Sequence, residues 1–88
     1  MKGGESPFDF PCDLPIKIVG RNDSGFRDSA LAIVRAHVAD APDSRVTERL
    51  SRKGGYVSIT VTVRVESRAQ ADAVYRDLSA HERILMVL

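Results

Sequence analysis

Two histidines, one cysteine and a Gly-Arg turn are the residues of this 88-residue chain whose types suit catalytic chemistry. His37 and His81 each fall where a helical pattern ends, a position at which the helix dipole favours an imidazolium. No His-x-x-x-His or Glu-x-x-His spacing brings two metal ligands onto one helix face. Cys12 follows Pro11 without a positioned base, whereas a thiolate nucleophile needs a partner that lowers its pKa. It reads as a packed or surface thiol. The turn "GRNDSGFRDSA", residues 20–30, leads from a strand into a helix, and a loop at a helix N-terminus is a natural anion site with Arg21 beside it. Asp23 places a negative charge in that loop. These residues form no catalytic constellation, and the expectation is a protein that is not an enzyme and uses no metal or cofactor.

Recognition chemistry has a clearer address. Val57, Ile59, Val61, Val63 and Val65 alternate with Ser58, Thr60, Thr62 and Arg64, the period of a strand with one apolar and one polar face. Tyr56 precedes this run, and Lys53 lies in the turn before it. The candidate binding residues are therefore Tyr56, Ser58, Thr60, Thr62, Arg64 and Lys53. Arg45, Arg49, Arg52 and Lys53 add positive charge to the preceding strand and turn. An RNA-binding sheet would carry stacking aromatics in its central strands. Here those positions hold Ser and Thr, which argues against nucleic acid and leaves a weak RNA binder as an alternative.

The elements that position these residues follow from periodicity. "LPIKIVGR", residues 14–21, is a β-rich run ending at Gly20. Phe26, Ala30, Ile33, Val34, His37 and Val38 form one stripe of a helix, with Asp23 or Ser24 as N-cap and Pro42 as its stop. "SRVTERLSR" and the strand from Tyr56 to Glu66 flank "KGG" and make a β-hairpin. Pairing Ser51 with Tyr56 sets Leu50 opposite Val57, Arg49 opposite Ser58 and Val46 opposite Val61. Glu48 then faces the apolar side, an inward charge that protects an edge strand. Ser67 caps a second helix whose stripe is Ala71, Val74, Tyr75 and Leu78. "ERILMVL" closes the chain as an apolar strand placed inside the sheet, because a strand covered on both faces need not alternate.

The order is β-α-β-β-α-β, a ferredoxin-like α+β sandwich. Right-handed crossovers put both helices on one face of a four-stranded antiparallel sheet. In the usual order for this arrangement the first and third strands are central and the fourth and second are edges. The Ser/Thr/Arg row thus lines the face that no helix covers.

The chain is long enough for one modest core. Its composition, 43% hydrophobic and 28% charged, is that of a folded domain, and a net charge of +1 gives no global field for an anion. A single cysteine excludes an internal disulfide and suits a reducing compartment. Residues 1–12, with Gly3, Gly4, Pro7 and Pro11, read as a flexible tail whose Phe8 and Phe10 pack on the domain edge; residues 13–88 are the single domain. The start has no apolar signal region and no run is long enough to span a bilayer, so the expected place is the cytoplasm, away from the membrane.

"KGGYVSITVTVRVES" with the following "VYRDL" and "ERILMVL" resembles the YbeD family of small bacterial proteins. "FDFPCDLPIKIVGR" is similar to that family's F-P-x-x-y-x-x-K-v-x-G opening, and "IVRAHV" to its helix ending in a basic residue and His. The resemblance covers residues 8–88, and its most specific pieces are Ser51, Lys53, Gly54, Tyr56, Ser58 and the "MVL" terminus. It implies a ferredoxin-like fold related to ACT-type regulatory domains and a link to lipoate metabolism. It carries over no catalytic or binding residue. A looser resemblance joins Gly20, Arg21, Gly25, Phe26 and Arg27 to the acylphosphatases, whose first strand ends in a Gly-Arg phosphate loop. That would imply a phosphate-binding enzyme using Arg21, although the third strand has no Asn to orient a water.

The expected function is a regulatory or interaction module, monomeric or weakly dimeric, that binds a partner protein or a small ligand through the open sheet face.

Overall fold

A computed structural model describes residues 9–88. Its elements are β1 (Cys12–Arg21), α1 (Phe26–His37), a 3-10 turn (Asp43–Arg45), β2 (Val46–Leu50), β3 (Tyr56–Val65), α2 (Arg68–Ala80) and β4 (Ile84–Val87). The sheet is antiparallel with strand order β2-β3-β1-β4. This is the ferredoxin-like order, with β1 and β3 central.

The core forms where the alternation of β3 and β1 meets the two helical stripes. Ile16, Ile18, Ile59, Val61, Val63 and Val65 are wholly buried, packed with Phe26, Ala30, Leu31 and Val34 of α1 and Ala71, Val74 and Leu78 of α2. No polar side chain is buried among the described residues. Burying these aliphatic side chains drives folding at roughly 1.5–3 kcal/mol each. Leu31 joins this core although it stands one position off the stripe read from the sequence.

The hairpin pairs as its sequence predicts: Leu50 with Val57, Arg49 with Ser58 and Val46 with Val61. Ser51 closes it twice, donating its N–H to the Tyr56 carbonyl at 2.9 Å and accepting the Tyr56 N–H on its hydroxyl at 3.1 Å. Gly54 has φ +76°, the left-handed region that its missing Cβ permits. Asn22 fastens the tip to the β1–α1 junction, donating to the carbonyls of Gly55 and Gly54 at 3.0 and 2.8 Å. Ser51, Gly54 and Tyr56, among the residues most specific to the family resemblance, are thus the ones that build this turn. Glu48 stands opposite Ile59 on the helix side and accepts from Arg27 of α1 at 2.8 Å.

Three expectations are corrected and one, the packing of Phe10, is met. β1 begins at Cys12, two residues before its predicted start, because Cys12 and Asp13 find cross-strand partners in Val65 and Arg64. Phe10 packs against the core, whereas Phe8 and most of the predicted tail lie outside the described residues. The N-cap of α1 is Gly25, because the Asp23 carboxylate accepts the Gly25 N–H at 3.1 Å and is also held by Arg83 at 2.8 Å. β4 lies at the sheet edge, as the ferredoxin-like order has it and not inside the sheet as its unbroken apolar run suggests, with Leu85 and Met86 half exposed.

Ser67 caps α2 as predicted, its hydroxyl accepting from the Gln70 N–H at 3.2 Å. Ser67→Ala should therefore cost about 1 kcal/mol, the usual worth of such a cap. Urea unfolding measures it, and an unchanged midpoint would remove the cap from the stability of α2.

Candidate functional site

On the open face the rows of side chains run across all four strands. One row is Arg49, Ser58, Val19 and Met86; the next is Thr47, Thr60 and Lys17, with Leu88 bonded to Lys17 through both backbone groups. Cross-strand partners project to the same face. This places β2, β3 and β1 side chains around two shallow hollows of about 380 and 310 Å3 that share Lys17, Arg49 and Ser58. The first also takes in Ser51, Arg52 and Tyr56, the second Thr47 and Thr60. The Arg21 guanidinium lies over the Tyr56 ring, 5.8 Å from its centre.

Charge pairing sets this patch apart from most of the surface, Arg76 of α2 being the other arginine without an ion pair among the described residues. Arg27, Arg35, Arg68 and Arg83 each meet a carboxylate, and Arg45 and Arg64 share that of Asp13. Lys17, Arg21, Arg49, Arg52 and Lys53 have no ion pair among the described residues, although most of them crowd one end of the sheet. The one carboxylate at the rim of the second hollow, Glu48, is already paired with Arg27 at 2.8 Å, and like charges left otherwise unmatched raise the local positive potential and favour an anion. The hollow is open, so solvent screens each contact and the attraction is salt-dependent.

The residues singled out from the sequence are divided by this geometry. Tyr56, Ser58 and Thr60 line the hollows. Thr62 lies further along β3, paired with Pro15, and Arg64 is drawn to Asp13 at 3.6 Å. Lys53 sits in the hairpin turn, outside the lining. Alternation along β3 does not reach Lys17, Arg49 or Arg52, which complete the lining. The hairpin register already placed Arg49 beside Ser58, but Lys17 required the β1–β3 pairing, which no local pattern reveals.

The groups considered for catalysis are otherwise engaged. His37 Nε2 lies 2.6 Å from the Asp77 carboxylate and ties α1 to α2. His81 Nδ1 accepts the Arg83 N–H at 3.1 Å. Arg21 turns to Tyr56 on the open face, while Asp23 and Arg83 stand before the first turn of α1. Cys12 is half-buried against the core. Two pKa shifts lie on the helix side: Arg35 holds the Asp43 carboxyl below its ordinary value, and burial pushes the Tyr75 phenol up. Among the described residues no three His, Cys, Asp or Glu side chains gather to hold a metal, and no helix is long and apolar enough to cross a membrane.

Comparison with known proteins agrees with this scaffold. Solved structures resemble it in fold: the solution structure of the H. pylori protein HP0495 (TM-score 0.67, 11% identity, 98% of this chain and 90% of that one) and the crystallised ACT domain of GTP pyrophosphokinase from Chlorobium tepidum (TM-score 0.61, 18% identity, 88% and 97%). In sequence, a UPF0250 protein of Nitrosomonas europaea is 42% identical over 84 residues, 96% of this chain and 97% of the relative. One from Neisseria meningitidis is 39% identical over 88 residues, 100% of this chain and 97% of the relative. Residues 5–88 match the family described as "Protein of unknown function (DUF493)". With its ACT-like fold and these bacterial relatives, the chain belongs to the DUF493 family of UPF0250 proteins, to which its YbeD resemblance already pointed.

Proposed function

We propose that the chain is a non-catalytic recognition module of the bacterial cytoplasm that binds an anionic group of a partner protein or small ligand on its open sheet face. Lys17, Arg49 and Arg52 attract the anion, and Ser58, Thr60 and Tyr56 supply hydroxyl contacts around it. One observation carries this reading: the cations at the hollow lack ion pairs among the described residues, while most other arginines are matched by carboxylates. Its role would be regulatory, through what the face binds. The link to lipoate metabolism that the resemblance implies gives a context in which to seek the partner.

Backbone-amide NMR titration with pyrophosphate and with hexaglutamate tests the reading. Both should shift the resonances of Lys17, Arg49, Arg52 and Ser58, and the Lys17→Glu/Arg49→Glu pair should weaken binding at least tenfold without loss of fold. Raising salt should weaken binding of the unaltered protein in the same direction. A flat titration with both anions, or shifts scattered over the helix layer, would overturn it.

A further inference from the structure

Beside the cations the same face carries apolar surface. Met86 and Leu88 are 53% and 61% exposed, and Val19, partnered with Met86, is only partly covered. Leu88 stands level with Lys17, its N–H donating to the Lys17 carbonyl at 2.8 Å. The open face is therefore sided: apolar along β4 and the adjoining part of β1, cationic from Lys17 across to Arg49 of β2 and Arg52 of the hairpin.

We infer that this face docks an acidic amphipathic helix of a partner protein, its apolar stripe on Val19, Met86 and Leu88 and its carboxylates on Lys17, Arg49 and Arg52. The inference rests on the anion reading and specifies the partner. Scale and direction both argue for a helix. Strands lie about 4.8 Å apart, so Met86 and Arg49 at opposite ends of their row are separated by about 14 Å at the Cα atoms. A helix with its side chains is about 10–12 Å across, and its apolar and charged stripes run side by side along its axis. Laid along the strands, such a helix meets both stripes at once.

An extended segment fits the surface less well. It would pair with the outer edge of β4, where the backbone groups of Leu85 and Val87 point away from β1 because Leu88 and Lys17 bond each other. Lying in the plane of the sheet, it would leave Lys17 and Arg49 uncovered. Charge sign excludes a basic helix, and a small anion alone leaves Met86 and Leu88 in water. Amphipathic helices dock by laying their apolar face on apolar surface, and complementary charge beside it steers the encounter and fixes the register.

The test uses the whole chain and four synthetic probes. The first is an 18-residue Leu/Ala/Glu peptide with leucines and glutamates in adjacent helical stripes. The others are its Lys-for-Glu counterpart, a scramble that disperses both stripes, and hexaglutamate. The striped acidic peptide should shift the amides of Val19, Met86 and Leu88 together with those of Lys17 and Arg49, and should gain helical circular dichroism when bound. Arg49→Glu and Met86→Ser should each weaken it at least fivefold, and the scramble and the Lys peptide should bind at least tenfold more weakly. Equal binding of the scramble or of hexaglutamate would overturn the helix inference and leave the anion reading standing. Failure of every probe would overturn the helix inference, and a flat pyrophosphate titration beside it would overturn the anion reading as well. Sedimentation that shows self-association abolished by Met86→Ser would assign the apolar stripe to a second copy, and the inference would fall.

Discussion

Gly20→Ala should lower the stability of the domain by about 3 kcal/mol, the upper end of the cost of overpacking a tight site. Gly20 is buried where β1 meets α1 and β4, at the irregularity in β1–β4 pairing between Val19 and Gly20. A Cβ there would penetrate the Phe26 ring and stand 2.7 Å from the Arg83 carbonyl oxygen. Neither neighbour has an easy retreat. Phe26 is 1% exposed and packed on every side, and the Arg83 oxygen belongs to the backbone leading into β4. In a domain worth roughly 5–15 kcal/mol, that loss is a large share. It corresponds to a fall in Tm of about 12–24 °C at the usual 4–8 °C per kcal/mol for chains of this size. Adding Phe26→Leu should recover only part of it, since the Arg83 carbonyl remains. Thermal and urea unfolding of the single and double variants measure both terms. A Tm for Gly20→Ala within about 2 °C of the parent would falsify the close approach at this junction, because a clash of even 1 kcal/mol moves it further.

The same junction shows what was legible beforehand and what was not. The period-two run of β3 and the turn chemistry of the hairpin are local, so the pairing of Arg49 with Ser58 could be read from residues a few places apart. Ser67 as a cap is equally local. The start of α1 is not. Asp23 was a reasonable N-cap, but its carboxylate is taken by Gly25 and by Arg83, sixty positions along the chain. The anion hollow divides in the same way. Ser58 and Thr60 follow from alternation, whereas Lys17 enters through its pairing with Thr60 across β1 and β3. Arg64 shares the polar face with them, but Asp13 opposite it supplies a carboxylate that only the β1–β3 register reveals. For β4 the usual strand order and the unbroken apolar run point different ways, and the structure sides with the order. Apolar residues report that a surface is to be covered, and they carry no mark of whether this chain or a partner covers it.

Adjacent aspartates on β3 should have opposite consequences, and this contrast is the strongest test of the two-faced sheet. Val61 is fully buried in a central strand among apolar side chains, with no polar group beside it in the core. Val61→Asp must either bury a carboxylate without a partner or hold it neutral there. Several kcal/mol are lost either way, together with the packing of the valine. That approaches the whole stability of a domain this small, so the variant should be unfolded at 25 °C, with collapsed amide dispersion and no cooperative melt. One residue earlier, Thr60 faces the hollow opposite Lys17 and Thr47. Thr60→Asp sets its carboxylate near cations that lack ion pairs, and should change stability by no more than about 1 kcal/mol, the span of strand preferences on a partly exposed face. Its effect belongs to binding instead. The added carboxylate supplies from within the charge that the hollow would take from a ligand, so pyrophosphate should bind several-fold more weakly. A native, cooperative Val61→Asp would disprove the core face. An unfolded Thr60→Asp would show that the hydroxyl row is held by packing rather than left open for recognition.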